Sequence, residues 1–553
     1  MLNQRQNQPA RRRSRIAALL VVAASTTAAA TTTAVYPSPS SAATKITKAK
    51  AAKATRKPST TAAAVTPTTE QPRAKIVVGS VADPATLDPA AATFDLTYFD
   101  LSNAIYDTLM DAPLGATPTP GLASSVTESA DRRTWTITLR SGITFHDGTP
   151  FNADAVKLNL ERQRKSRLNA IFLAPVGAIT VIDPLTVALN VDRPYASIPY
   201  LLGGTIGLMV SPKALQERGD QFGRNPGLAG TGPYILNEWV PGSHAVVVRN
   251  PNYWQAIKPR LEQIRFQVIP DDATRVAALE SGELAAMAGG TNSRARLQRL
   301  EAAGFIATVT PAANAGTFLM NNAKPPFDDP RLRRAVWYAV DAAAVAVFAG
   351  DQNFAKQGNG IWPKGNPWYS PSEDRRFNKA EARRLVNDYI RDTGRDASFT
   401  LLVFSFSPGL LDVARLQAKN LQDAGFDVKL TVVPDPAAII GAVFSGQCEA
   451  SQWSTTVERD PDATAFPILA SASPLNVSRY KNAEMDEALL EGRSAATAEG
   501  RKAAYAKVQQ IFRRDLPFIV GSPNSQWFMF SSKLCGTWGS GAFPARTAGL
   551  GNC

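Results

Sequence analysis

The chain has 553 residues, 44% hydrophobic and 19% charged, which is an ordinary globular balance and more than one hydrophobic core can hold. Its formal charge of +13 is a property of one end: residues 1–75 hold 13 Lys/Arg against a single acidic residue, Glu70, and the remaining 47 basic and 46 acidic side chains nearly cancel. A neutral body of this kind has no phosphate-binding face and excludes a nucleic-acid partner; two histidines, His146 and His244, and three scattered cysteines, Cys448, Cys535 and Cys553, argue against a metal centre and against any cofactor held by such ligands.

In chain order, Arg11, Arg12, Arg13 and Arg15 precede the short apolar run 16–24, the pattern of an export signal over residues 1–43, with Ala30 or Ala42–Ala43 as cleavage points. The run is shorter than the 20 or so residues a span requires, so a retained anchor is the second reading. No cysteine follows it to take a lipid, so the expected location is periplasmic or cell-surface without such an anchor. Residues 44–74 are Ala, Thr, Ser, Pro and Lys with little to bury, and read as a disordered stalk.

Order is expected from Lys75–Ser80, a β-branched strand. Leu101, Ile105 and Leu109 repeat at helical spacing within 96–110. Thr134–Arg140 alternates polar and apolar, as a half-buried strand does. Asn152 is placed to cap a helix, and Thr186–Val191, Ala245–Arg249 and Leu261–Ile269 alternate again. Residues 273–284 are helical. Phe318–Asn322 reads as a strand, and 329–340 as an amphipathic helix with Leu332, Val336 and Val340 on one face. Helices are expected at 379–392 and 412–425, the second between strands 399–404 and 427–433, which implies a parallel pair with a right-handed crossover. A helix over 497–514 and a strand over 516–520 close the pattern. The mixture predicts α/β lobes.

Several stretches together resemble one family: Thr86-Leu-Asp-Pro89, Trp135-Thr-Ile-Thr-Leu-Arg-Ser-Gly142, Phe145-His-Asp-Gly-Thr-Pro-Phe151, Gly230-Thr-Gly-Pro-Tyr234, Arg249-Asn-Pro-Asn-Tyr-Trp254, Pro326-Phe-Asp-Asp-Pro-Arg331 and Asp460-Pro461. In this order they are similar to the large extracytoplasmic solute-binding proteins, family 5, of ABC importers for peptides, nickel chelates and related solutes. The resemblance implies an α/β, bilobal periplasmic-binding-protein-like fold of type II in its large three-subdomain form, with two lobe crossings. These are placed near Ala288–Gly290 and Ile519–Ser522, giving a first lobe over 75–288 with an inserted subdomain at about 115–228, a second lobe over 289–519 and a return over 520–553. It implies capture of a peptide-like or other small solute in the interlobe cleft, for delivery by a monomer to ABC permease subunits with their ATPases. A secreted receptor feeding a sensor or envelope process is the alternative with the same fold. A hydrolase using His146 or His244 lacks a nucleophile motif.

The resemblance also assigns the site. Trp453, in Ser451–Phe466, matches a ligand-contacting Trp that peptide-binding relatives follow with an Asp for the α-ammonium. Here Ser454, Thr455 and Thr456 follow, and Glu458 is the first carboxylate. The arginine that dipeptide-binding relatives carry after the strand matching 399–404 is replaced by Ser405-Phe-Ser-Pro-Gly409, and residues 200–210 contain none; Arg162, Arg164 and Arg167 read as a solvated helix face. What remains is an aromatic and hydroxyl-rich set: Phe94, Tyr98, Trp362, Phe406, Ser407, Trp453, Thr455 and Thr456, with Glu458 beside it. Rings and hydroxyls suit a ligand of low charge, such as a modified or longer peptide or a glycoside. Cys535 and Cys553 are expected to form a disulfide worth about 3 kcal/mol, leaving Cys448 unpaired.

Overall fold

The computed structural model describes residues 75–91, 96–112, 117–256, 259–289, 294–348, 360–362, 366–371, 377–404, 408–456, 460–535 and 551–552. The export-signal and stalk expectations lie outside them. Thr69–Cys553 forms one compact unit.

Its backbone is a ten-stranded sheet in the order 427–433, 398–404, 450–456, 305–320, 518–531, 286–289, 75–80, 263–268, 244–249, 234–240. The strands at the two ends belong to different lobes, and two long ones, Phe305–Met320 and Phe518–Ser531, run through both. Their antiparallel register breaks twice, between Thr310 and Asn314 and between Ala315 and Thr317. Such irregularities bend a ladder.

Ala286–Gly289 pairs with Lys75–Ser80 and with Phe518–Ser531, and the helix Arg294–Ala302 returns to pack Leu300 with Leu279, Met287 and Met529. The strand Phe305–Met320 follows and pairs with Phe518–Ser531 along its length. The sequence hid the length of this strand because 305–317 contains Pro311, Gly316 and four alanines and does not alternate. The strand expected over 516–520 likewise proves to be the start of a much longer one.

In the second lobe, Ser398–Phe404 and Asp427–Val433 pair in parallel, as the intervening helix required. That helix begins earlier than expected, at Pro408, and ends on Gly425, whose φ of +100° is the left-handed conformation glycine takes without penalty. The helices Pro330–Ala339 and Lys379–Thr393 bury Leu332, Ala335, Val336 and Ala382, Leu385, Val386, Tyr389 at three- and four-residue spacing. Asp329 and Asn378 cap them, accepting from Arg331 N and Glu381 N.

The inserted part is a four-stranded sheet, 123–128, 134–139, 186–191, 176–183, with its own core between Leu109 and Met209. Thr134–Leu139 alternates half-buried and buried residues, as its sequence predicted, and Asn152 caps the helix Ala153–Arg164 through a 3.0 Å bond from Ala155 N. Three of the quoted motifs converge at its base. The buried Asp107 carboxylate accepts from Thr231 Oγ1 (3.2 Å), Tyr253 Oη (3.1 Å) and Trp254 Nε1 (2.7 Å). Gly230 has to be glycine there: a Cβ would stand 1.6 Å from the Ile105 carbonyl oxygen.

Candidate functional site

Ser451–Phe466 contributes to two elements. Its first part belongs to the strand Ala450–Thr456 and its last to the helix Pro461–Leu469. The strand pairs with Asn314–Met320 without a register shift, placing Trp453 opposite Thr317, Thr455 opposite Ala315 and Thr456 opposite Asn314. These partners lie at the register breaks of the crossing strand, so the strand carrying Trp453 ends at the junction of the lobes.

Alternation sends Ser451, Trp453 and Thr455 to one face and Gln452 to the other. Ser451 is fully buried and donates to the Leu402 carbonyl, while Gln452 reaches Gln417 on the opposite side. Trp453 is half-buried, and its ring meets Phe444 edge-on with centroids 6.4 Å apart. Phe444 ends the helix Pro436–Phe444, a helix so uniformly apolar that its periodicity gives no signal. One side of the indole is thus fixed by packing. Ser454 is exposed and Thr455 half-buried beside it.

After the strand, the chain turns at Asp460, whose carboxylate caps the next helix by accepting from Asp462 N (3.0 Å). Both aspartates are buried and both are paired. Asp460 binds Arg501 at 2.7 and 2.8 Å through two nitrogens; Asp462 binds Arg493 at 3.0 and 3.1 Å. These forks are the strong form of the carboxylate–guanidinium contact. Burial pushes the Asp462 carboxyl up, and the Arg493 charge opposes that push. Burial works against the Arg501 charge, and Asp460 more than restores it, so its pKa is raised. Gly492 gives the pair room: a Cβ there would lie 2.7 Å from the Tyr505 ring, whose hydroxyl approaches Asp462 at 3.4 Å. Asp460 and Asp462 are therefore committed to arginines and do not present a free carboxylate to a ligand.

Of the other expected site residues, Trp362 is 1% exposed in the core of the second lobe, stacked edge-on against Tyr505 at 5.7 Å. Its ring packs in that core. Tyr98 lies on the helix Leu96–Ile105, and its side chain and that of Thr456 are outside the description. Phe94, Phe406, Ser407 and Glu458 fall outside the described residues, as do Cys553 and the Cys535 side chain. Leu534–Cys535 pairs with Gly551–Asn552. Cys448 is buried and free. Arg162 pairs with Asp88 at 2.7 Å and Arg164 with Glu161.

Sequence reasoning missed Arg493, Arg501 and their neighbours Tyr195 and Ser197. The only local signal was two aspartates flanking Pro461, and nothing in one sequence pairs them with arginines thirty to forty residues later.

Among the described residues one histidine meets a hydroxyl: His244 Nδ1 lies 2.9 Å from Oγ of its sequence neighbour Ser243. His146 Nε2 bonds the Gly232 carbonyl (3.0 Å) and its backbone N–H bonds Gly230. Burial lowers its pKa to about 4, so the ring is neutral near pH 7 and serves as a brace. His244 opens the second strand of the hairpin 234–249, is partly buried and has Nε2 3.4 Å from Glu238.

Two lobes joined by paired long strands, with an inserted third part, define a bilobal periplasmic binding protein. Similar architecture is seen in the periplasmic binding protein DppA from Helicobacter pylori in complex with the peptide STSA, with a TM-score of 0.77, 22% identity, and coverage of 86% of this chain and 98% of that one. The model of bacterial extracellular solute-binding proteins, family 5, matches residues 117–476, and the chain belongs to that family. It is 27% identical over 483 residues to the glutathione-binding protein GsiB of Salmonella typhimurium, covering 84% of this chain and 91% of that protein. It is also 27% identical over 468 residues to the probable D,D-dipeptide-binding periplasmic protein DdpA of Escherichia coli, covering 81% and 88%. The protein is thus the substrate-binding component of an ABC importer, a class of binding proteins that works with permease and ATPase subunits.

Proposed function

We propose that this protein captures a peptide-like solute whose recognition does not rest on a carboxylate clamp for a free α-ammonium. The observation that supports the reading is the sealing of Asp460 and Asp462 by Arg501 and Arg493. A carboxylate already neutralised in a buried fork gains little from a second cation. Only Glu458 remains as an acidic side chain between Trp453 and Asp460. The solute rests on the half-exposed face of Trp453 and exchanges hydrogen bonds with the hydroxyls of Thr455 and Thr456. Phe94, Tyr98, Phe406 and Ser407 complete the set from the facing elements, and Trp362 does not take part. The similar proteins named above are called binders of glutathione and D,D-dipeptides, which supports a peptide-like class with unusual linkage or configuration. The protein works as an exported monomer without an N-terminal lipid-modified cysteine and delivers its solute to permease subunits with their ATPases.

Native mass spectrometry of the protein as purified is expected to show a retained small mass, which fragmentation assigns to a peptide-like compound. In calorimetry, free Ala-Ala is expected to bind no more tightly than its N-acetylated form. Tight binding of free Ala-Ala that is lost only on Glu458→Gln would overturn the reading.

A further inference from the structure

The helix–turn–helix Ala483–Asp515 hangs from the second lobe, yet its turn is gripped by the inserted part of the first. Four contacts converge there. Arg501 Nη2, while holding Asp460, also donates to the buried Ser197 hydroxyl at 2.8 Å. Ala196 N donates to the Arg493 carbonyl at 3.1 Å. The Arg493 guanidinium lies between the Phe466 ring of its own lobe, at 3.4 Å, and the Tyr195 ring of the inserted part, at 4.8 Å. At the tip of the hairpin joining 123–128 to 134–139, Arg132 donates to the carbonyls of Ser494 and Ala495 at 2.9 and 3.0 Å, where the helix Ala483–Ser494 leaves its last acceptors unfilled. Arg132 reaches them from a left-handed backbone, φ +60°, and Glu128 holds its Nε at 3.1 Å. A non-glycine residue held in that conformation needs support from its surroundings.

We propose that the turn Arg493–Arg501 is a clasp by which the inserted subdomain holds the second lobe in the closed form. The proposal rests on the interlobe cleft being the solute site. The lobes are also joined through the two crossing strands, whose register breaks allow bending, and Ala463 packs on the inserted core; closure is held by contacts made away from the hinge. The clasp supplies such contacts. Asp460 is shared between the clasp and the N-terminus of the helix Pro461–Leu469, four residues after the strand that carries Trp453, so the interlobe contact is fixed close to that strand. Arg501 and Arg132 are positioning residues in this scheme and touch no solute.

The test uses protein freed of retained solute by dialysis from denaturant and refolding, so it does not depend on which solute binds. Ser197→Ala and Arg132→Gln, singly and together, leave the two buried ion pairs intact. Hydrogen exchange at residues 195–200 and 493–501 is expected to rise about 10- to 100-fold in the double variant, with exchange in the strand Lys75–Ser80 unchanged. Small-angle scattering is expected to show a larger radius of gyration than the parent. Unchanged exchange and radius would overturn the clasp, and so would a uniform rise across the chain, which marks lost stability instead of opening. A retained mass in the native spectrum together with unchanged scattering would leave the solute reading standing and remove only the clasp.

Discussion

Two buried carboxylate centres sit in different lobes and are satisfied in different ways. At the base of the inserted part, Asp107 takes bonds from a threonine, a tyrosine and a tryptophan, all neutral donors. In the second lobe Asp460 and Asp462 take theirs from arginines. Neutral donors cost little to bury and return about 1 kcal/mol each, rather more when the acceptor is charged. A buried guanidinium costs several kcal/mol to desolvate and returns it only while its fork is complete. The first centre gathers motifs from one lobe and keeps them together. The second stands where the inserted part meets the other lobe, and its arginines have nitrogens and ring contacts to spare for that junction.

The largest test of this contrast removes one arginine. Arg493→Met is expected to cost about 3–5 kcal/mol in denaturant unfolding, because Asp462, with no exposed surface, is left without its fork. Adding Asp462→Leu to Arg493→Met is expected to recover much of that loss, since an apolar pair of similar volume carries no uncompensated charge. If the double variant is no more stable than the single one, the aspartate is being held by its remaining neighbours, and the second centre resembles the first more than the comparison allows.

The sequence made the outline of both centres readable to different extents. Alternation at Thr134–Leu139 and Ser398–Phe404, and the apolar stripes of 330–339 and 379–393, follow directly from side-chain period, and the structure has them. The strand 305–320 carries no such period, because Pro311, Gly316 and a run of alanines interrupt it. The order of motifs led to the family, and Trp453 sits on a strand ending at the lobe junction. Its closed ion pairs were not legible. A charge's partner is set by tertiary approach, and Arg493 and Arg501 look like any exposed helical arginine in one dimension. Trp362 shows a different limit: a large ring is equally suited to core and pocket, and composition does not say that this one is buried.

A pH titration probes the first centre. His146 braces the Gly230–Gly232 turn that also carries Thr231, and its pKa falls from the ordinary 6.5 to about 4 through burial. The unfolded chain therefore binds this proton more readily than the folded one. The contribution is fully present above about pH 6.5 and is lost as pH falls toward 4. Two and a half pKa units correspond to about 3 kcal/mol, reduced to about 2 by the partial exposure of the ring. Urea unfolding at pH 7 and pH 4.5 is expected to show this loss in the parent and a smaller pH dependence in His146→Gln. An equal pH dependence in both would assign acid sensitivity to the carboxylates of the second lobe.

A small effect is the most discriminating. Tyr253→Phe deletes one neutral donor from Asp107 and keeps the ring, which is buried beside Trp254 with centroids 5.9 Å apart. Two donors, Thr231 Oγ1 and Trp254 Nε1, stay in place, so the carboxylate keeps most of its compensation. The expected loss is about 2 kcal/mol, the acceptor being a carboxylate, and still below that of Arg493→Met. The difference follows from how compensation is divided: three separate donors can lose one member, whereas a guanidinium fork is lost whole. Should Tyr253→Phe cost as much as Arg493→Met in the same denaturant series, Asp107 would be held by a single dominant bond, and the distinction between a shared neutral centre and a paired ionic one would fail.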